Sequence, residues 1–306
     1  MLKTANCGAH MFHETSYERH KQGFLNDLIN PDRKRIAASW FDTETANWWR
    51  DSRGYEIADY LGGVLGERWL TIGDGRFGLD SIRLKNRGVN YAFPTNIEDA
   101  LLRTAKESGK ISEYGIENAE HLSFGDKSFD YAYCKESYHH FPRPMVALYE
   151  MLRVSRKGVI LIEPNDRKWS PARRLVALLK WILGRWKHMD ISNYEDGGNY
   201  AFPISKREIE KVALGINLPQ VAFKGFNDAY VVGMEFEPAD VRKSSMYRKM
   251  RRTILFRDFL CRIGLDHPIM LMACIFHEPV TKEQRKRMSD NGWSIIDLPR
   301  NPYITG

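Results

Sequence analysis

The sequence predicts an α/β fold in which helices cover both faces of a mostly parallel sheet. Over the middle of the chain, short apolar runs alternate with helical segments, and polar connections separate them. A glycine-rich turn follows the first apolar run, and a wholly apolar run, GVILIEP, comes later. Strands buried on both faces are typically continuous apolar runs, and their alternation with helices is typical of βαβ units. Ligand sites in such folds lie at the carboxyl ends of the strands.

The first 65 residues are expected to form a helical cap and substrate region. NPDRKRIAASWFD begins with residues that favour a helix start, and TANWWRDSRGYEIADYLGGVLG keeps helical spacing until glycines end it. Four aromatic residues are concentrated here: Trp40, Trp48, Trp49 and Tyr55. They either pack the cap onto the sheet or contact a sugar-like or planar acceptor by stacking.

Residues 66–306 are expected to form the sheet domain. The strand candidates are, in order, RWLTIGDG, VNYAFPTNI, a short segment in ISEYGIENAE, SFDYAYCKES and GVILIEP. The helices between them are LDSIRLKNRG, EDALLRTAKESGK and PMVALYEMLRVSRKG. After Pro164 the pattern resumes with the helix ISKREIEKVALGIN, capped by Ser205, and a strand in VAFKGFNDAYVVGMEF. PIMLMACIFHEP is expected to be a late antiparallel strand.

The composition excludes several classes of protein. With 306 residues, 43% hydrophobic and 28% charged, the chain is neither disordered, collagen-like nor a coiled coil. Its four cysteines are scattered without a CxxC pair, which excludes a zinc ribbon and a disulfide framework and favours a cytoplasmic protein. The N-terminal segment MLKTANCGAHMF has no apolar stretch of signal-peptide length, and no window of the chain approaches the length of a membrane span, so we expect neither secretion nor membrane insertion.

The positive charge is concentrated in two segments. The net charge is +7, and residues 165–188 and 241–262 together carry more than that excess. We expect helical insertions near 165–200 and 238–266. The segment RRLVALLKWILGRWKH combines apolar and basic residues. It either lies on an anionic membrane, covers a phosphate-bearing acceptor, or forms an amphipathic lid that packs on its own domain. The same alternatives apply to YRKMRRTILFRDFLCR. No nucleic-acid-binding module is recognisable.

A GxGxxG motif stands between the first strand and the next helix. It consists of Gly73, Gly75 and Gly78, and glycines at such a turn allow a nucleotide to approach the backbone closely. Alone, the motif also fits an ordinary strand-to-helix turn. About twenty residues later Asn96 ends the second strand, where adenosine-binding folds usually place an acid for the ribose.

From Arg68 to Pro164 the sequence resembles a class I S-adenosylmethionine-dependent methyltransferase of the group that modifies small molecules, lipids and sugars. LTIGDGRFG resembles the glycine loop, VNYAFPTNIEDALL the ribose-binding segment, and IENAEHLSFGDKSFDYAYCKESYHHFPRP the adenine-contacting loop and fourth strand. MVALYEMLRVSRKGVILIEP resembles the following helix and fifth strand. The resemblance implies a Rossmann-like, mostly parallel seven-stranded sheet and S-adenosylmethionine as cofactor.

The resemblance also implies a cofactor site. Gly73, Asp74, Gly75 and Gly78 would wrap the methionine part, Asn96 and Ile97 would lie at the ribose and adenine, Asn118 and Ala119 at the adenine edge, and Lys135, Glu136 and Ser137 near the methyl group. Two positions depart from the family: Thr71 and Asn96 stand where it usually has acids. Because a neutral amide makes weaker contacts than a carboxylate, the site either compensates, for example through Glu98 or Asp99, or binds an altered ligand, or has lost catalysis.

Three residues are candidates for catalysis. Methyl transfer to a hydroxyl needs a base, and His139 and His140, just beyond the fourth strand, titrate near neutral pH. Alternatively, one imidazole packs on the cofactor and the other caps a helix. Glu163 is a further candidate base, or a carboxylate that anchors the loop. No metal site is assigned.

The function predicted from these residues is O-methylation of a sugar, glycan or other small hydroxylated acceptor, which is anionic or lipid-linked. The predicted location is the cytoplasm, extending to peripheral contact with the inner membrane face. One alternative is a non-catalytic binding protein with this fold. Another is a nicotinamide-dependent oxidoreductase, but its YxxxK match, Tyr131 and Lys135, falls on a predicted strand, where the two residues are about 13 Å apart.

Overall fold

The computed structural model describes residues 12–167, 170–183, 194, 195 and 197–304. One sheet contains all the strands of this part: β1 (Arg68–Ile72), β2 (Tyr91–Asn96), β3 (Gly115–Ile116), β4 (Phe129–Lys135), β5 (Ser155–Pro164), β6 (Gln220–Phe226), β7 (Met270–Phe276) and β8 (Ser294–Asp297). Their order is β3-β2-β1-β4-β5-β7-β6-β8. The predicted α/β fold is therefore confirmed.

The first five strands pair in parallel, and β7 lies antiparallel between β5 and β6. This confirms the late antiparallel strand expected in PIMLMACIFHEP. The sheet has one strand more than the seven expected, because β8 pairs antiparallel with β6 at the edge. Its sequence, SIID, is short and half-exposed, so it lacks the apolar run that marks the central strands.

The helices before the sheet are α1 (Phe12–Ile29), α2 (Pro31–Ser39), α3 (Ala46–Ser52) and α4 (Ala58–Leu61). Those within the sheet domain are α5 (Leu79–Asn86), α6 (Ala100–Glu107), α7 (Pro144–Val154), α8 (Pro171–Ile182), α9 (Lys206–Gly215), α10 (Ser245–Arg262) and α11 (Lys282–Asp290). Pro31 begins α2, and the Asn30 side chain accepts hydrogen bonds from the backbone N–H groups of the first turn. Ser205 caps α9 in the same way, as predicted.

Two apolar layers enclose the sheet. On one face Leu70, Ile72 and Cys134 pack with α7 and α9, and on the other face Trp69 and Tyr133 pack with α4 and α5. Successive residues of β1 thus point to opposite layers, as the strand repeat of two requires. Tyr55, 1% exposed, belongs to the second layer, so this aromatic residue of the N-terminal region packs onto the sheet.

The two basic segments form α8 and α10. α10 packs through Tyr247, Met250 and Ile254, together with Ala46 of α3 and Met234. Residues 184–193, which include Arg185, Trp186 and Lys187 of the first segment, lie outside the described residues. Within the described part of the chain, no helix combines the length and apolarity that crossing a membrane requires.

The topology brings the carboxyl ends of β1, β2, β4 and β5 to one edge of the sheet. Gly73 (74°) and Glu136 (49°) have positive φ angles at this edge, and Phe77 (62°) and Gly78 (67°) have them where the glycine turn leads into α5. A left-handed conformation is uncommon for a residue with a side chain and is enriched at functional sites. This edge also carries the predicted site residues.

Candidate functional site

The glycine turn after β1 allows close packing of the protein's own side chains. A Cβ atom added to Gly73 would lie 2.5 Å from Cβ of Ser137, and one added to Gly75 would lie 2.5 Å from a ring carbon of Phe24. Gly78 begins α5, where an added Cβ would lie 3.1 Å from Ile111. Gly73 and Gly75 therefore set how closely β4 and α1 approach the turn, whereas Gly78 packs away from the edge.

Thr71 and Asp74 form one buried unit beneath this turn. The Thr71 hydroxyl donates to Oδ2 of Asp74 over 2.8 Å, and the backbone N–H groups of Asp80 and Ser81 donate to the same carboxyl group over 3.0 Å. Burial, reinforced by the charge of Asp80, raises the pKa of Asp74 well above its usual range. The Asp74 carboxyl group thus ties the glycine turn to the start of α5.

Two adjoining cavities occupy the carboxyl edge of the sheet. The larger, about 650 Å³, is lined by Gly73, Asp74, Lys135, Glu136 and Ser137 among others. The smaller, about 90 Å³, is lined mainly by apolar atoms, and the predicted residues around it are Gly73, Asn96, Ile97, Asn118, Ala119 and Ser137. Nine of the predicted cofactor residues therefore line one cavity or the other, and two of them, Gly73 and Ser137, line both.

The polar residues of the smaller cavity are held by local hydrogen bonds. Asn96, 4% exposed, donates from Nδ2 to the backbone oxygen of Glu98 over 2.8 Å, which leaves its amide oxygen as the acceptor for a hydroxyl group. The Glu98 carboxylate accepts from the Ala100 N–H at the start of α6, and Asp99 pairs with Arg103. Glu98 and Asp99 thus stabilise α6 and do not replace the ribose carboxylate.

Charged side chains form one wall of the larger cavity. Nζ of Lys135 lies 2.5 Å from Oδ1 of Asp51 and 2.8 Å from Oε2 of Glu136, and Arg83 also pairs with Asp51. The charge of Lys135, acting against burial, lowers the pKa of Glu136 to about 2. Lys135 is therefore held by two carboxylates.

Tyr131, the other half of the YxxxK match, packs on Trp69 in the core, at a ring centroid distance of 4.8 Å.

The two histidines beyond β4 each pair with a different glutamate. Nδ1 of His139 lies 2.5 Å from Oε2 of Glu163, a fully buried carboxylate that also accepts from the backbone N–H groups of Ser137 and Tyr138. Nδ1 of His140 lies 2.5 Å from Oε2 of Glu195. The two imidazole rings are 4.0 Å apart between centroids. Two carboxylate–imidazole pairs therefore lie side by side.

The neighbouring pairs give the two imidazoles opposite pKa shifts. Burial acts to lower the pKa of His139, but its hydrogen bond to Glu163 and the charge of that carboxylate outweigh burial and raise it. Burial and the charge of His139 lower the pKa of His140. Near neutral pH, His140 is therefore the imidazole in its neutral, proton-accepting form.

Of the three predicted catalytic residues, only His140 lines the cavities, and it lines both. His139 and Glu163 are absent from both walls; Glu163 anchors the loop, as one of the sequence alternatives had it. Among the described residues, one group of metal-ligand type occurs: His139, His140 and Glu195, whose ligand atoms lie within 4.8 Å of one another. Both Nδ1 atoms of this group already face carboxylates.

Sequence analysis missed α1 and Glu195 as parts of the site. Tyr17, His20 and Phe24 of α1 cover the smaller cavity, and their spacing of three and four residues places them on one helix face. The Tyr17 hydroxyl donates to Glu120 over 2.6 Å, and Nε2 of His20 lies 3.1 Å from Oδ1 of Asn199. The 17-20-24 spacing was visible in YERHKQGF, but nothing in the sequence indicates which surface that face covers.

The residues at this edge of the sheet fit S-adenosylmethionine. The smaller cavity, an apolar slot beside Ile97 and Ala119, suits the purine, and the Asn96 amide suits the ribose hydroxyls. The charged larger cavity suits the amino acid end of the cofactor. Phe24 narrows the slot, since its ring lies against Gly75 and beside the Asn96 amide.

Comparison with known families agrees with this geometry. Residues 70–162 match a family described as a methyltransferase domain. This match agrees with the class I methyltransferase fold and with the S-adenosylmethionine cofactor that the sequence predicts. The match ends at β5 and includes neither α1 nor Glu195.

Three solved structures illustrate what this chain is similar to. YcgJ from Bacillus subtilis is 17% identical, over 75% of this chain and 99% of that one, with a TM-score of 0.48. A possible histamine N-methyltransferase from Thermotoga maritima is 15% identical over 86% and 100%, with a TM-score of 0.48. A Haemonchus contortus phosphoethanolamine N-methyltransferase 2, solved with phosphomonomethylethanolamine and S-adenosylhomocysteine, is 13% identical over 87% and 60%, with a TM-score of 0.48. A comparison with curated proteins finds no match.

Proposed function

We propose that the protein is an enzyme that transfers a methyl group to a hydroxyl group of a sugar, glycan or other small hydroxylated acceptor. The observation that carries this proposal is the position of His140, which lines both the cofactor slot and the larger cavity and pairs with Glu195 through Nδ1. An acceptor hydroxyl must lose its proton during transfer, and a neutral imidazole held by a carboxylate is suited to take it.

The chain's residues divide the work between donor and acceptor. S-adenosylmethionine, when bound, supplies an electrophilic methyl group. Asn96, Ile97 and Ala119 hold its adenosine part, and His140 accepts the acceptor's proton while Glu195 stabilises the resulting imidazolium. His139 and Glu163 position His140, because Glu163 fixes both the loop backbone and the neighbouring ring.

The larger cavity supports a polar, anionic acceptor. Its lining includes six cations and four carboxylates: Arg19, Arg33, Arg50, Arg76, Arg83 and Lys135, and Asp51, Asp74, Asp80 and Glu136. Trp40 and Tyr55 add aromatic walls, and the Trp40 ring lies 4.7 Å from the Arg76 guanidinium. Alternating hydrogen-bonding groups and ring faces suit a sugar, and the excess of cations favours a phosphate or carboxylate on it. A lipid-linked acceptor, with peripheral contact at the inner membrane face, belongs to the same proposal.

Two experiments test the proposal. Calorimetric titration with S-adenosylhomocysteine measures cofactor binding, and a panel of nucleotide sugars, sugar phosphates and lipid-linked saccharides is then screened with methyl-labelled S-adenosylmethionine. We expect one acceptor class to gain an O-methyl group, with His140→Asn abolishing transfer and His267→Asn, at an exposed loop, retaining it. Absence of cofactor binding would refute the enzyme and favour the non-catalytic alternative, and cofactor binding without transfer to any acceptor of the panel would refute the proposed acceptor class.

A further inference from the structure

Two described helices leave large apolar side chains exposed to solvent. α8 and the residue after it expose Leu175, Val176, Leu178, Leu179, Trp181, Ile182 and Leu183, each by 48–65%. The last turns of α10 and the loop that follows expose Leu255, Phe256, Phe259, Ile263 and Leu265 by 45–62%. Single exposed apolar residues are ordinary, but twelve on two elements form a patch of the kind that marks an interaction surface.

The start of α8 lies close to the end of α10. Arg167, just before α8, pairs with Asp266, just after α10, and Asp266 also bonds to the Ser170 side chain. The backbone N–H of Asn165 donates to Ile269 over 2.8 Å. We call the twelve side chains the apolar surface. Because Pro164 pairs with Met270, this junction lies at the carboxyl edge of β5, the edge that carries the cavities.

The apolar residues of α8 share one side of the helix. At about 100° per residue, all of them except Trp181 fall within an arc of about 160°. Lys180 lies beside this arc and is exposed. A helix with a broad apolar face and flanking cations lies in the plane of a membrane interface.

The outward face of α10 changes character along its length. Its inward face carries Tyr247, Met250 and Ile254. Outward, the first half carries three exposed cations, Arg248, Lys249 and Arg252, which together line one surface hollow of about 420 Å³. The second half carries part of the apolar surface. Three cations within about one helical turn, beside an apolar patch, match the phosphates and acyl chains of a bilayer.

We propose that the apolar surface and these three cations bind the protein to an anionic phospholipid membrane. Charge decides between this occupant and a second copy of the chain, since face-to-face copies would oppose two cationic hollows. Contact through this surface would bring the carboxyl edge of the sheet toward the lipid. The proposal extends the lipid-linked acceptor of the proposed function but needs neither cofactor nor methyl transfer.

The test is flotation of the full chain with vesicles, without cofactor or acceptor. Vesicles of phosphatidylcholine alone are compared with vesicles containing about 30% phosphatidylglycerol, at low and high salt. We expect the protein to float with the anionic vesicles only. Lys249→Glu with Arg252→Glu is expected to weaken partitioning at least tenfold, since each cation near an anionic surface contributes about fivefold.

A second variant separates the apolar contribution. Phe256→Glu with Phe259→Glu is expected to abolish flotation at both salt concentrations, whereas Leu65→Glu, at an exposed position before β1, leaves it unchanged. A circular dichroism spectrum and an unfolding midpoint like those of the wild-type protein show that each variant is folded. The proposal is overturned if the wild-type protein does not float with anionic vesicles, or if Phe256→Glu with Phe259→Glu floats normally. It is also overturned if sedimentation shows that this variant merely converts a dimer into a monomer.

Discussion

Replacing Glu195 with Gln tests the proposed proton acceptor directly. The amide keeps a hydrogen-bond acceptor near Nδ1 of His140 but removes the charge that stabilises the imidazolium. Oε2 of Glu195 lies 2.5 Å from that nitrogen, and the two side chains are 29% and 40% exposed. A hydrogen bond to a charged group contributes about 1 kcal/mol more than a neutral one, and solvent screening at this exposure keeps the difference near that lower value.

A loss of about 1 kcal/mol in the transition state corresponds to a roughly fivefold lower kcat. His140→Ala removes the base itself and is expected to lower kcat by about 10² to 10⁴. Because the two residues act as one unit, the double variant is expected to be no slower than His140→Ala alone. Steady-state transfer of labelled methyl groups measures all three rates, and KM for the cofactor is expected to stay constant.

The same variant has a readout that needs no acceptor. NMR titration of the imidazole signals follows the pKa of His140, which Glu195 raises against burial, so Glu195→Gln is expected to lower it further. Glu107→Gln, at the exposed end of α6, is the matched control and leaves that pKa unchanged. An unchanged or higher pKa in Glu195→Gln, or a double variant much slower than His140→Ala, would refute the assigned pair.

Three further predictions follow from neighbouring contacts. In a pH profile, kcat/KM is expected to rise with pH through a value below 6.5, because His140 must be neutral; His139→Asn removes the adjacent charge and shifts that limb upward. Glu163→Gln, at a fully buried carboxylate, is expected to reduce the free energy of unfolding in urea by at least about 2 kcal/mol, and an unchanged midpoint contradicts its anchoring role. Phe24→Ala widens the smaller cavity, so stopped-flow association of S-adenosylhomocysteine is expected to accelerate; an unchanged or slower association rate would contradict the narrowing of this cavity by Phe24.

The central strands and the glycine turn could be predicted because their signals are local. Residues 158–162, GVILI, are apolar because both faces of β5 are covered, and the Gly73 turn follows directly from a strand end. β8 has no such signal, since its residues become a strand only by pairing with β6. Pairing energy of this kind depends on a neighbour distant in sequence.

Of the candidate site, only the part predicted to hold the cofactor could be predicted from the sequence. Asn96, Ala119 and Ser137 follow strands in the family order, so their meeting at one edge follows from parallel topology. The choice between His139 and His140 was not predictable, because it depends on Glu195, more than fifty residues away in the sequence. Likewise, the sequence does not indicate that the Thr71 hydroxyl donates a hydrogen bond to the Asp74 carboxyl group three residues later.

Contacts from α1 reach beyond the segment that matches the methyltransferase domain. The segment that matches the family, residues 70–162, supplies the slot for the shared cofactor. Nε2 of His20 lies beside Asn199, Asn199 donates to Glu195, and Glu195 pairs with His140, so a chain of polar contacts from outside that segment surrounds the proposed base. A fragment that begins at residue 66 would lack α1 and therefore one wall of the smaller cavity. The surroundings of the His140 imidazole therefore depend on residues that lie before and after the matched segment, so a change in α1 is expected to be felt at that ring.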